Sequence, residues 1–456
     1  MMRGQPSLPL FPVSMAASPP VAPSDPRSTA AREGRNTLWI IVYQVLVRIG
    51  WVFKTETVII PAVLDAVIDS GTLRGLLPVL NRGGQSLPPL LFAGPLARMR
   101  RKWPAAVVTT AVLAACFGLL AVLWGPLDAT RPDLLVVVFL VLYGLFAAVN
   151  GLNQLVLATL QGKLIAAGNR GRAMVLSVTI GSVAAITASF WLLGPWLSQA
   201  DGFPKIFAAT AVFFALAAFI PPLLDEPADD VPPRVHPARS HWEAMVAGIE
   251  VWRRTLAGDA ALVRLAAVAA CFAAVIMLFP HYQAYARDVL GTPTRSLLVW
   301  VVVQNVATGV ASLVAGPLAD RRGTRIVLIW LMALSSLTPL VVTGLSLVPP
   351  ALAGRWFWLV YAPLGLNPIS LKFFVAYALE LAPRAADHPL YVSIVGAALG
   401  VPFVLSPLVG YSVDALGFRP VFLVGAAVIA AGGIVAVGLP EPRHRGDGIP
   451  EDIAGL

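Results

Sequence analysis

Twelve apolar runs, each about the length of a membrane-spanning helix of 20 residues, divide this chain, and short charged connections separate them. Only helices and closed barrels satisfy their backbone groups inside a bilayer. Charged residues make up 12% of the chain and apolar residues 57%, whereas about a quarter of a soluble domain is charged. The sequence therefore predicts an all-α membrane protein with twelve transmembrane helices.

The predicted spans form two groups of six. The first group comprises Leu38–Leu64, Leu73–Ala97, Pro104–Trp124, Leu134–Leu160, Ala173–Leu197 and Ile206–Leu224. The second comprises Ala260–Phe279, Leu297–Ala319, Ile326–Val348, Trp356–Leu381, Leu390–Val413 and Pro420–Leu439. We predict a disordered cytoplasmic tail at 1–36, a bundle at 37–224, a linker at 225–259, a second bundle at 260–440 and a cytoplasmic tail at 441–456.

The linker contains a capping box, Ser240-His241-Trp242-Glu243, which predicts the start of an amphipathic helix. Lysines and arginines are concentrated in alternate connections, and such clusters stay on the cytoplasmic side of a membrane. We therefore expect both termini in the cytoplasm and the protein in the cell membrane, which is the inner membrane if the source is bacterial. This pattern also accounts for the net charge of +9 without a nucleic-acid partner.

One connection carries a short, strongly charged motif. It reads Gly316-Pro317-Leu318-Ala319-Asp320-Arg321-Arg322-Gly323-Thr324-Arg325, and Gly94-Pro95-Leu96-Ala97-Arg98-Met99-Arg100-Arg101-Lys102 repeats its beginning in the first half. Matching connections in two halves indicate an internal repeat, which many membrane transporters contain.

With six plus six spans, a long central connection and this motif, residues 37–439 resemble the major facilitator superfamily. The resemblance implies two pseudo-symmetric six-helix bundles and secondary transport by alternating access, as a symporter or antiporter. It also implies a cytoplasmic latch. The gating residues would be Gly94, Gly316, Asp320, Arg321, Arg325 and Glu380. In the latch, Gly316 would allow close helix approach, and Arg321 and Arg325 would pair with Glu380.

The first-half copy departs from the family pattern. Arg98 stands where the acid is expected, Arg101 stands where the second glycine is expected, and the fourth span ends with Lys163 rather than an acid. We therefore expect that no charge latch forms in the first half and that the second half carries it.

Polar residues inside the spans are the candidates for a substrate site, because a buried ionisable group is paired or functional. Arg48 and Trp51 share one helix face, and the glycines beside Arg82 favour local unwinding. By the resemblance, spans one, four, seven and ten line a central cavity. The predicted substrate-binding residues are Arg48, Trp51, Arg82, Asn150, Asn153, Gln154, Tyr282, Gln304, Asn367 and Lys372.

Glu56 is the candidate for proton coupling, because burial can bring a carboxyl into the physiological range. Basic groups outnumber acids in these spans, which favours an anionic substrate. The hypothesis is transport of a small organic anion or amphipathic acid, with efflux of hydrophobic drugs or lipids as one alternative and a scaffold or sensor as another. We expect a monomer in contact with membrane lipids. No nucleotide-binding loop, catalytic constellation or metal-ligand spacing occurs, so we expect no cofactor, no metal and no enzyme activity.

Overall fold

The computed structural model describes residues 26–199, 201–229, 241–384 and 387–441, and every regular element within these ranges is a helix. Eleven described helices are long and apolar enough to cross a membrane. The predicted all-α fold is confirmed. The twelfth span is Gly71–Ala97, which has the length of the others but carries polar residues and four prolines.

We number the spans 1 to 12 in chain order. The first half holds span 1 (Pro26–Phe53 and Ile59–Val67), span 2 (Gly71–Ala97), span 3 (Trp103–Thr130), span 4 (Pro132–Leu164), span 5 (Ala167–Ala188, a π-helix at Ser189–Leu193 and Gly194–Trp196) and span 6 (Gly202–Ala218, with a 3-10 turn at Pro221–Leu223). The linker helix is His241–Gly258.

The second half begins after this linker. It holds span 7 (Ala260–Asp288), span 8 (Ser296–Arg322), span 9 (Thr324–Leu345), span 10 (Pro350–Trp356, Phe357–Val360, Tyr361–Leu364 and Asn367–Leu381), span 11 (His388–Gly400, Val401–Leu405 and Ser406–Leu416) and span 12 (Phe418–Val437). Residues 1–25 and 442–456 of the predicted tails and Ser240 of the predicted capping box lie outside the described residues.

The two halves pack by the same scheme. In the first half span 1 contacts spans 5 and 6, span 2 contacts span 4, and span 3 contacts span 6. The second half repeats these pairings with spans 7 to 12. Across the halves, span 2 packs on span 11 and span 5 on span 8. These pairings support the internal repeat that the two motifs predicted.

Spans 1 and 10 are interrupted near their middle. Span 1 breaks between Phe53 and Ile59, where the carbonyl oxygen of Thr55 accepts backbone N–H groups from Val58, Ile59 and Ile60. Backbone away from regular helix is tolerated at membrane depth only where protein or a cavity surrounds it. We therefore expect protein or a cavity, rather than lipid, to surround this break.

Span 2 is a continuous helix, so the predicted unwinding around Asn81–Ser86 does not occur. Its glycines instead permit close packing on span 4. A Cβ added to Gly84 would overlap Ala147, and one added to Gly151 of span 4 would overlap the backbone of Gln85. The small residues bring two helix backbones together, as in other membrane helix pairs.

The motif at 316–325 is almost entirely helical. Span 8 runs through Arg322 and span 9 begins at Thr324, leaving Gly323 as the turn with a φ of 88°. Only glycine adopts this backbone conformation without strain. The second glycine of the motif thus has a structural task that the sequence did not specify.

Candidate transport site

The break in span 1 opens onto a cavity between the two halves. Its larger lobe has a volume of about 140 Å³ and its smaller lobe about 100 Å³. Four residues line both lobes: Trp51, Thr55, Gln304 and Pro368. Spans 1, 2 and 4 contribute from the first half and spans 7, 8 and 10 from the second. Residues of both repeats therefore meet in one central space.

A buried ion pair stands at the edge of this cavity. The Lys54 ammonium is 2.8 Å from Oε1 of Glu56, and the lysine side chain is fully buried. The ammonium also lies 3.0 Å from the centroid of the Trp51 ring, a cation–π contact. Lys54 therefore does not extend to the membrane interface.

Positive charge exceeds negative charge around the cavity. Arg82 lines the larger lobe and Arg48 the smaller one, and Glu56 is the single acid among the described lining residues. The Arg82 Nε has no hydrogen-bond partner among the described residues. Arg48 donates to a neutral group, Oδ1 of Asn305, at 3.2 Å. Lys372 of span 10 lies within electrostatic range of Arg48.

Among the described residues, two hydrogen bonds join the halves beside the cavity. One is the Arg48–Asn305 contact between spans 1 and 8. In the other, the hydroxyl of Thr57 donates to Oε1 of Gln304 at 2.5 Å. The site is therefore assembled only when the two halves meet.

The structure brings six of the predicted polar residues to the cavity, namely Arg48, Trp51, Glu56, Arg82, Gln304 and Asn367. The other predicted residues do not line it, and among them Lys372 is exposed in span 10, within electrostatic range of Arg48. Asn153 is buried in a hydrogen-bonded cluster with Tyr43, Thr109 and Thr110. Tyr282 packs on Phe422 in the core of the second half.

Asn150 is also buried and Gln154 is exposed, and neither lines the cavity. Six further polar residues do line it although they were not among the predicted site residues: Thr55, Thr57, Asn81, Tyr143, Asn305 and Thr308. Asn81 and Asn305 adjoin predicted residues in the sequence, which was an available signal. Thr57 depends on the break in span 1, and Tyr143 has an apolar sequence context that gave no signal.

A polar network closes one end of the molecule, the end opposite to Pro26 and Glu441. Arg287 of span 7 donates at 2.7 Å to the carbonyl oxygen of Asp65 and lies 3.1 Å from the Asp69 carboxylate. Arg74 of span 2 binds Asp65 at 2.8 Å. This network joins spans 1 and 2 to span 7.

The same end is joined a second time through span 11. Asp414 accepts the backbone N–H groups of Gly71 and Thr72 at 2.8 and 3.1 Å. A Cβ on Gly410 would overlap the carbonyl oxygen of Gly71, and one on Gly75 would overlap the backbone of Ser406. Carboxylates are favourable at a helix N-terminus such as that of span 2. These contacts hold the two halves together at the end opposite to Pro26 and Glu441.

At the terminal end, where Pro26 and Glu441 lie, the first half has its own charge cluster. Glu226 accepts the backbone N–H groups of Lys102 and Trp103, each at 2.8 Å, and binds Lys163 at 2.8 Å. Asp229 binds the ammonium groups of Lys102 and Lys163. Hydrogen bonds from Lys102 and then Lys163 lower the pKa of the Asp229 carboxyl below its ordinary value. The sequence did not predict this cluster, because its acids come from after span 6 rather than from the motif or the end of span 4.

The second half carries a related arrangement at the same end. Glu441, just after span 12, accepts the backbone N–H of Arg325 at 3.2 Å. Both acids begin a Glu-Pro pair at equivalent places, Glu226-Pro227 and Glu441-Pro442. The internal repeat therefore includes the acids at the N-termini of span 3 and span 9, which are the third spans of the two halves.

The predicted latch residues are arranged differently from expectation. Arg325 donates to the carbonyl oxygen of Val437 at 2.5 Å rather than pairing with Glu380, because Val437 ends the neighbouring span 12. Glu380 accepts the Thr324 hydroxyl at 2.8 Å. Arg321 is exposed. Within the described part of the chain, a Cβ on Gly316 would meet no atom within 4 Å, so no close helix approach is seen at Gly316 there.

The contacts of two latch residues, Gly94 and Asp320, are not described. Gly94 lies in span 2, but its surroundings, like the side chain of Asp320, lie outside the part of the chain that is described.

Two repeated helical bundles around a polar cavity, closed at one end, define a membrane transporter. The family model of the Major Facilitator Superfamily matches residues 58–371 and 294–452. The chain belongs to this superfamily, and the resemblance read from the sequence is confirmed. No curated protein matches the chain by sequence.

Solved structures share the fold at low identity. A POT family transporter in complex with 5-aminolevulinic acid has a TM-score of 0.68 at 11% identity, with 90% of this chain and 96% of that chain covered. A mutant of the nucleoside transporter NupG has a TM-score of 0.65 at 12% identity, with 88% and 99% covered. A bacterial homologue of the iron transporter ferroportin, in an inward-facing state, has a TM-score of 0.62 at 13% identity, with 89% and 98% covered.

Proposed function

We propose that this protein is a secondary active transporter that moves a small organic anion or amphipathic acid by alternating access. The observation that carries the proposal is the excess of basic groups at the central cavity. Arg48 and Arg82 line the cavity and Lys54 borders it, against Glu56 alone among the described lining residues. An anionic substrate group supplies the missing partner.

The physical argument rests on desolvation. An unpaired charge at membrane depth costs at least about 2.5 kcal/mol. The Lys54–Glu56 pair neutralises one cation, Arg48 donates to the neutral Asn305, and the Nε of Arg82 has no hydrogen-bond partner among the described residues. Arg82 therefore shares the single Glu56 carboxylate with Lys54. Arginine forms bidentate hydrogen bonds with carboxylates and phosphates. A bound carboxylate between these guanidinium groups therefore gains charge-assisted hydrogen bonds that a neutral solute cannot form.

The size of the cavity favours a small substrate over a large lipophilic one. Its lobes measure about 140 and 100 Å³, whereas pockets for drug-sized ligands commonly exceed about 300 Å³. Charged groups also line it, which disfavours a purely hydrophobic solute. We therefore place anion transport ahead of the efflux of hydrophobic drugs or lipids.

We infer the direction of opening from charge topology. Basic connections face the cytoplasm in membrane proteins, so the terminal end, with Arg98, Arg100, Arg321 and Arg322, is assigned to the cytoplasm of the cell membrane. The described conformation is then locked on the outer side by the contacts of Arg287 and Asp414. One chain forms the whole cavity, so we propose a monomer as the functional unit.

Glu56 is the proposed coupling residue. It lines the larger lobe and pairs with Lys54. Protonation of Glu56 breaks that pair, and an arriving anion replaces it as the partner of the buried lysine. Uptake of proton and anion together keeps the net charge of the cavity constant, which is the electrostatic basis for coupling.

The test is uptake into proteoliposomes with an imposed pH gradient, using a panel of carboxylates and phosphates with their neutral esters. The proposal expects accumulation of one or more anions and no accumulation of the esters. Arg82→Gln should abolish accumulation, whereas Arg295→Gln, an exposed arginine outside the cavity, should leave it intact. Accumulation that persists in Glu56→Gln would remove Glu56 as the coupling residue, and preferential uptake of esters would reject anion transport.

A further inference from the structure

Three arginines between spans 2 and 3 are left facing outward by the fold. Arg98, Arg100 and Arg101 are exposed. The acids at this end, Glu226 and Asp229, bind Lys102 and Lys163 instead. Within the described residues no carboxylate lies within 4.0 Å of the three guanidinium groups. Their charge is therefore available to an external partner.

An apolar groove begins beside these arginines. It lies between spans 2, 3 and 4 and has a volume of about 350 Å³. Exposed hydrophobic side chains line it, with Met99 at 43%, Phe92 at 51% and Val108 at 61% exposure. Met99 stands between Arg98 and Arg100 in the sequence. One continuous surface thus combines a basic rim with an apolar channel.

The dimensions of this surface match a phospholipid at the membrane interface. The groove extends along span 3 from Pro104 to Thr109, five residues or about 7.5 Å at 1.5 Å per residue. That depth accommodates part of an acyl chain while the arginines remain at headgroup level. Basic residues at the cytoplasmic face attract anionic lipids by about 1 kcal/mol each.

We propose that this basic-rimmed groove binds one anionic phospholipid. Its phosphate lies on Arg98, Arg100 and Arg101, and one acyl chain lies in the groove against Phe92, Met99 and Val108. The rest of the groove wall is apolar, including Leu152, Leu155 and Val156. The inference does not depend on the transported substrate, since the groove lies outside the central cavity.

The internal repeat supports this assignment. The second-half motif has Asp320, Arg321 and Gly323 where the first half has Arg98, Met99 and Arg101. Arg98 thus replaces an acid, Met99 replaces a cation and Arg101 replaces the turn glycine. Each replacement favours contact with an anionic amphiphile.

Native mass spectrometry of the full chain in detergent tests the proposal. The protein is titrated with phosphatidylglycerol or with phosphatidylcholine of identical acyl chains. We expect one phosphatidylglycerol to be retained in preference to phosphatidylcholine. The triple variant R98Q/R100Q/R101Q should lose this preference, with about fivefold weaker binding for each arginine removed.

A charge-matched control is available at the opposite end. R295Q/R355Q/R419Q removes three exposed arginines remote from the groove and should retain the lipid. R98K/R100K/R101K keeps the charge and should retain most of the binding. Val108→Trp fills the groove without changing the charge and should weaken retention of the lipid.

Three results would overturn the proposal: equal loss in both glutamine triple variants, equal retention of phosphatidylcholine, or unchanged binding in Val108→Trp. Displacement of the lipid by glycerol phosphate alone would show a headgroup site without an acyl groove. A dimer mass that disappears in Val108→Trp would identify a second copy of the chain as the occupant, which also rejects lipid binding there.

Discussion

Arg287 in the second half donates a 2.7 Å hydrogen bond to the backbone carbonyl oxygen of Asp65 in the first half. The same guanidinium lies 3.5 Å from the fully buried Asp65 carboxylate. This contact crosses between two bundles that must separate for a solute to enter from that side. It is therefore the point at which sequence changes should shift the conformational equilibrium most directly.

Arg287→Ala is expected to favour separation of the two halves at the end where Arg287 itself lies, which is the end opposite to Pro26 and Glu441. Hydrogen bonds to charged groups contribute about 1.5–3 kcal/mol, so the equilibrium should shift by about tenfold or more. Spin labels at positions 131 and 355, exposed on the two halves at that end, report the separation by pulsed electron resonance. Arg295→Ala serves as the control. An unchanged distance distribution in Arg287→Ala would show that the contact does not hold the closed state.

A single added methyl group should prevent closure. In Gly410→Ala, the new Cβ would overlap the carbonyl oxygen of Gly71, and backbone atoms there have no room to move away. Transport should be lost while the protein still folds. Gly400→Ala in the same span is the matched control, because its Cβ would meet no atom within 4 Å. Equal transport by both variants would contradict close packing of spans 2 and 11 in the transport cycle.

The fold was largely predictable because bilayer spans have a strong and simple signal. Eleven of the twelve spans are apolar over the required length, and the paired GPLA motifs indicated the repeat. The break at Lys54–Val58 was not predictable, since residues 54–58 contain neither the glycine nor the proline that commonly interrupts a helix. Helix bounds near Arg322 were also missed, because charged residues at an interface remain compatible with helix.

The site was only partly predictable for a related reason. Membrane depth identifies ionisable residues such as Arg48 and Arg82, since any ionisable group there requires a partner. It does not specify which way a polar side chain faces. Asn153 and Tyr282 looked equivalent to cavity residues in the sequence, but they lie within the packing of one half.

The Lys54–Glu56 pair should show strong coupling in stability. Removing one partner of a buried ion pair costs about 3–5 kcal/mol, whereas replacing both partners by neutral groups is often tolerated. We expect Glu56→Gln to lower the thermal midpoint more than the double variant K54M/E56Q. Thermal unfolding in detergent measures this difference. Lys54→Met is the second single variant. If the effects of Lys54→Met and Glu56→Gln on the thermal midpoint add up to that of the double variant, the contact contributes no coupling.

Glu226 should be important for the stability of the first half. Its carboxylate accepts two backbone N–H groups and one ammonium, so Glu226→Gln should destabilise the protein by about 2 kcal/mol. Glu250→Gln removes an exposed carboxylate paired with Arg253 and Arg254 and should cost less than about 0.5 kcal/mol. Similar thermal midpoints for the two variants would contradict the role of Glu226 as a helix cap.

Substitutions in the second-half motif are expected to reduce transport more than substitutions in its first-half copy. Neutralising Asp320 or Glu380 should reduce vesicle uptake much more than neutralising Arg98, because Glu380 binds Thr324 at the start of span 9 while Arg98 is exposed. Equal reductions would show that the two copies serve the transport cycle alike.

The most direct test of anion transport is equilibrium binding of a matched pair, an anion that is accumulated and its uncharged methyl ester. The wild-type protein should bind the anion at least about tenfold more tightly, since one charge-assisted hydrogen bond contributes about 1.5–3 kcal/mol. Arg48→Gln and Arg82→Gln should each reduce that preference. Equal affinity for acid and ester in the wild-type protein, or a preference unchanged in both variants, would contradict an anion site at the central cavity.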